Sequence, residues 1–172
     1  MLDRALDRIA QWLLVIAAVL AFSLCFLVVA DVVGRVAFNR PVQGTPEMVA
    51  SAVVIICYLQ AVYAVRSGGM ISLDAVTSIL PTPVQALLAC IGALLGAFLF
   101  GLICWGSIDQ SIYAWVSGEF DGEGALRIPA WPARFVLTGG AFLTALSYIL
   151  LALRQFSAFL SGEPPVAASS SH

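Results

Sequence analysis

The residues that could do chemistry are few, and none is placed for catalysis. The one histidine, His172, is the last residue of the chain. A Ser–His nucleophile pair and a haem held by axial histidines inside a helix bundle both need a histidine in the body of the protein. The cysteines, Cys25, Cys57, Cys90 and Cys104, each sit inside an apolar run, and none forms a CxxC pair. Such cysteines behave as small hydrophobes. The densest carboxylates are Asp109, Glu119, Asp121 and Glu123, interleaved with Gly118, Gly122 and Gly124. That spacing does not match a calcium-binding loop and reads as a solvated acidic loop. No catalytic, cofactor-binding or metal-binding residue is therefore assigned.

The elements that hold these residues are set by composition. Hydrophobic residues make up 61% of the chain and charged residues only 10%. A soluble domain carries about 25% charged residues, so lipid is the natural solvent. A net charge of −2 gives no case for nucleic acid. A helix needs about 20 apolar residues to cross a hydrocarbon core of about 30 Å. Four stretches qualify, at about 12–30, 48–65, 84–106 and 135–153. Unpaired backbone groups are not tolerated in lipid, so each should be a helix. The reading is an all-α membrane protein, one four-helix transmembrane domain over 1–160, with 161–172 a disordered tail. The first run is longer than the roughly 7–15 residues of a signal-peptide core, which argues for a retained helix.

Two accessory elements are expected. Leu2, Leu6, Ile9 and Leu13 share a helical face, with Asp3, Arg4, Asp7 and Arg8 between them. This pattern reads as an amphipathic lead-in at the membrane surface; the simpler alternative is a first helix that projects into water. Between spans two and three, Leu73, Val76, Ile79 and Leu80 share a face ahead of Pro81 and Pro83, and Ser72 could cap it. A short interfacial helix is expected there. Loops are expected at 31–46 and 107–132, with Thr45 capping span two and Pro46 in its first turn.

The spans carry packing signals and little else. Ala89, Ala93, Ala97 and Gly101 recur every fourth residue in span three, alongside the Gly92-x-x-x-Gly96 pair. Small residues let helix backbones approach closely in lipid. Gly139-Gly140-Ala141 in span four could receive such a partner. No span has Asp, Glu, Lys, Arg or His at its middle. Ion and proton pumps normally place charges there. Glu47 opens span two, where it is either a helix-start carboxylate or a contact group. Asp31 and Arg35 are spaced to pair if the first helix extends that far. Arginines split four and four between the two sides, so charge does not decide orientation.

Three stretches resemble the small permease subunit of tripartite ATP-independent periplasmic (TRAP) transporters. They are Arg35-Val36-Ala37-Phe38-Asn39-Arg40-Pro41 with Gly44-Thr45-Pro46-Glu47, then Ala64 to Asp74, then Leu126-Arg127-Ile128-Pro129-Ala130-Trp131. Met70 stands where that family usually has a histidine. The resemblance implies a multi-pass protein of the bacterial inner membrane with both termini cytoplasmic. It implies a large multi-span permease partner that carries substrate and sodium. It also implies a periplasmic binding protein that delivers an organic acid. Arg35, Glu47, Arg66 and Asp74 become candidates for the partner interface. The alternative is a self-contained four-span channel or small exporter acting as a homo-oligomer.

Overall fold

The computed structural model describes residues 2–40, 42–67, 81–121 and 128–161. Four helices dominate: α1 Leu2–Phe38, α2 Thr45–Arg66, α3 Thr82–Ser117 and α4 Trp131–Ser161. Each is long and apolar enough to cross a membrane. Two short strands, β1 Phe120–Asp121 and β2 Ile128–Pro129, pair antiparallel between α3 and α4, with Phe120 opposite Pro129.

Helix boundaries depart from the hydropathy limits, and the backbone explains why. Residues 2–11 are not set apart as a surface segment; they are the opening turns of α1. The chain has no proline and no glycine from Leu2 to Val33, so nothing stops the helix. Leu6 and Ala10 are buried there, while Ile9 is exposed. At its far end α1 continues past Asp31 to Phe38. Left-handed Asn39 (φ 51°) then turns the chain, and the Arg40 amide donates to the Gly34 carbonyl at 3.0 Å. Likewise α3 does not stop near Gly106. It runs on to Gly118, whose left-handed backbone (φ 61°) forms the C-cap, so Asp109 is helical. Gly44, and not Thr45, occupies the N-cap of α2. The expected interfacial helix and the tail after Ser161 lie outside the described residues.

Polar groups mark the thickness of the layer. Asp7 on α1 pairs with Arg66 at the end of α2, and Asp31 on α1 binds the turn that starts α2. Twenty-four helical steps separate the two aspartates, about 36 Å at 1.5 Å per residue. The 22 residues of α2 span about 33 Å, close to a hydrocarbon core plus its margins. The 37 residues of α1 and the 36 of α3 exceed that need.

The packing order is a row. α1 packs on α2, α2 on α4, and α4 most extensively on α3. In the most apolar window of each helix, 33% of α4 is buried, against 11% of α3 and 6% of α1. α2 and α4 are the inner helices of the row, α4 the more buried of the two, and its small residues let a neighbour close in. A Cβ on Gly140 would stand 2.9 Å from the Tyr58 Cβ of α2 and 3.1 Å from its carbonyl oxygen. A Cβ on Gly96 would meet the Tyr148 ring of α4 at 2.8 Å. That ring also stacks on Phe100, centroids 5.8 Å apart.

The contact seam of α3 steps by threes and fours through Ala86, Cys90, Ala93 and Ala97, and resumes in the same 3.5-residue register at Ser111 and Ala114. A seam of this kind follows a 3.5-residue repeat, whereas an every-fourth-residue stripe drifts around the helix. Ala93 and Gly96 therefore lie at the α4 contact. Ala89 is half-buried, and Cβ atoms at Gly92 and Gly101 would meet nothing within 4 Å. Gly140→Ala should lower the stability of the purified subunit by about 1–3 kcal/mol, because backbone atoms cannot yield to the added carbon. Gly101→Ala should not lower it. Thermal unfolding of both variants in detergent checks the contrast.

Candidate functional site at the loop-bearing helix ends

The ends of α1 and α3 and the starts of α2 and α4 gather at one side of the layer. There Asp31, buried on α1, organises the first turn region. Its Oδ2 accepts from Arg35 at 2.8 Å, and its Oδ1 accepts from the Val42 amide at 2.9 Å. The pair forms because α1 extends a full turn past Asp31. Thr45 closes the same turn by donating its hydroxyl to the Val42 carbonyl at 3.0 Å. This fixes the point at which α2 starts, and so places Glu47 in its first turn.

α3 and α4 meet beside it through hydroxyls. Ser111 donates to the Ser107 carbonyl at 2.8 Å, and its oxygen lies 2.8 Å from that of Thr138. With the Ser111 proton on the Ser107 carbonyl, Thr138 donates to Ser111, and the Arg134 carbonyl, 2.9 Å from the Thr138 hydroxyl, is its alternative acceptor. One turn away, Arg134 donates to Glu119 at 2.8 Å and to Gln110 at 3.4 Å. Glu119 also accepts through its backbone carbonyl from the Ala130 amide at 3.0 Å, which locks the connection onto the head of α4. Trp115, Trp131 and Phe135 stack edge to face nearby, with centroids 5.0 to 6.4 Å apart. Aromatic rings of this kind favour a membrane boundary.

Between these groups lies a cavity of about 440 Å³. Glu47, Ser51, Gln110 and Arg134 form its polar wall, and Ala50, Val54 and Leu137 its apolar wall. Buried oxygens usually find a donor. Two here do not: Glu47 Oε2 and Glu119 Oε2 have no hydrogen-bond partner.

The four interface candidates thus have different settings. Arg35 and Glu47 share the loop-bearing end but belong to separate polar groups. Arg66 lies at the opposite end of α2, with its side chain largely buried and 2.6 Å from Asp7. Asp74 lies outside the described residues. Gln110, Glu119 and Arg134 were not singled out from sequence as interface candidates. An arginine heading an apolar span, with a carboxylate 15 residues upstream, was the only available signal. Among the described residues no cluster of three or more His, Cys, Asp or Glu side chains could hold a metal ion.

The four helices are each long and apolar enough to cross a membrane, and among the described residues their charged side chains lie toward the helix ends. A family model described as "Tripartite ATP-independent periplasmic transporters, DctQ component" matches residues 24–158. The chain belongs to the DctQ family. The match takes in the C-terminal part of α1, all of α2 and α3 and nearly all of α4, and covers every group of the cavity. Neither the curated proteins nor the solved structures returned a match. DctQ is a family of transporter components and not of enzymes, which agrees with polar groups that brace helix ends. This DctQ chain is a multi-pass membrane protein and the small component of a TRAP transporter.

The Asp31 staple can be tested directly. Asp31→Ala should destabilise the purified subunit by about 1–3 kcal/mol, since the Val42 amide and Arg35 both lose an acceptor. Asp31→Asn keeps an acceptor for the amide and should cost less. Urea or thermal unfolding, with proteolysis of the 39–44 turn as a local readout, ranks the two.

Proposed function

We propose that this chain scaffolds a large, sodium-coupled permease subunit for uptake of an organic acid delivered by a periplasmic binding protein. The carrying observation is the open row of helices. A channel or pump built from a single chain must enclose a path, and the row formed by the described helices encloses none. The interiors of the spans also lack the charges that ion coupling requires. Sodium and substrate are then handled by the partner. The apolar faces of α1 and α3, carrying Phe22, Phe26, Leu95 and Phe98, are exposed in the single chain and supply surface for lipid and for that partner.

The reading places the protein in the bacterial inner membrane with both termini in the cytoplasm. The cavity then faces the periplasm, because α2 and α4 start there. Family membership and the four-span count support this arrangement; the arginine distribution is neutral.

Co-expression of the tagged chain with the large subunit should give a complex that survives detergent extraction. Uptake of a labelled organic acid should require the large subunit, this chain and the binding protein together. Uptake by this chain alone would refute the scaffold role in favour of a homo-oligomeric channel or exporter.

A further inference from the structure

Among the described residues, the cluster at the loop-bearing end does not balance its charges. Arg134 and Glu119 neutralise one another across 2.8 Å, and Gln110 takes a second Arg134 nitrogen. Glu47 faces the same cavity with its charge uncompensated. Its Oε2 is shut off from solvent, and among the described residues no donor reaches it. The second Glu119 oxygen is orphaned in the same way. Among the described residues, two carboxylates around one arginine leave the site one positive charge short.

The lining says what could supply that charge. A metal ion is a poor fit, because one carboxylate, one hydroxyl and one amide line the space, and hard cations take six or more oxygens. A long basic side chain fits better. Ala50, Val54 and Leu137 would flank its aliphatic stem, and Glu47 and Ser51 would receive its charged tip.

We infer that this cavity receives an arginine or lysine side chain of the large permease subunit, which pairs with Glu47. The inference rests on the scaffold reading and names the contact through which it acts. Three helices converge there, so one inserted side chain engages α2, α3 and α4 at once.

The test uses the complex of the full chain with its large subunit. Glu47→Gln should weaken retention of the large subunit about tenfold or more, as expected when one member of a buried charge pair is lost. Glu47→Lys should abolish retention, and an acidic replacement of one basic residue in the large subunit should restore it. The isolated Glu47→Gln chain should melt like the unmodified chain, which separates a lost contact from a lost fold. Unchanged retention by both variants would overturn the inference and leave the scaffold reading standing. Loss of ethanolamine phospholipid from the Glu47→Gln complex in native mass spectrometry, with retention intact, would assign the site to lipid and overturn it. If Arg127→Gln lowers the melting of the isolated chain and Glu47→Gln does the same, the cation comes from this chain, and the inference fails. If the unmodified chain holds no large subunit at all, the scaffold reading itself fails.

Discussion

Hydrocarbon does not drive one leucine against another, because lipid tails are as apolar as the side chains they would be leaving. Helices in this protein must therefore be held by close backbone approach and by polar ties. Both concentrate on α4. Gly140 admits Tyr58 of α2 from one side, and Tyr148 reaches over Gly96 of α3 on the other. Thr144 and Ser147, both buried, donate to the Gly140 and Leu143 carbonyls of their own helix. Their hydroxyls are thus satisfied without demanding a partner across the layer. The large residues are left outside, where lipid serves as well as protein.

This constraint explains what could be read from the amino acids and what could not. Apolar length alone locates four spans, because a charge within hydrocarbon is costly and absent from their middles. Helix ends are less legible. Hydropathy falls after Ala30 and again after Gly106, but the helices persist to Phe38 and Ser117 until Asn39 and Gly118 turn left-handed. A backbone stops where its dihedrals change, not where its side chains become polar. Packing registers are harder still. Gly92, Gly96 and Gly101 are equally small, yet only Gly96 has a ring against it. The difference depends on where α4 happens to cross, which no local pattern encodes.

The polar site follows the same logic at longer range. Asp31 and Arg35 are four residues apart, so their pairing could be anticipated from spacing. Arg134 meets Glu119 only because Gly118 ends α3 and β1 and β2 fold the connection back over the head of α4. Glu47 reaches that neighbourhood only because Asp31 and Thr45 anchor the turn before it. Each link is a hydrogen bond between segments that a linear reading treats separately. The cavity between them is a product of three helix ends, and no one of them announces it.

A row of helices has a consequence that a closed bundle lacks. Its outer members keep most of their surface, and here both are longer than the bilayer requires. Past the polar level set by Asp31, Glu47, Gln110 and Arg134, α1 still presents Val32, Val36 and Phe38, and α3 presents Ile112, Trp115 and Val116, all exposed. Wherever these side chains pass out of the hydrocarbon, apolar area left in water costs about 25 cal/mol per Å². Lipid therefore accounts for the bare faces within the layer, but not for those beyond it. On the proposed scaffold role, a protein partner that rises above the membrane at this end would cover both, and would meet the unbalanced carboxylate at the same level.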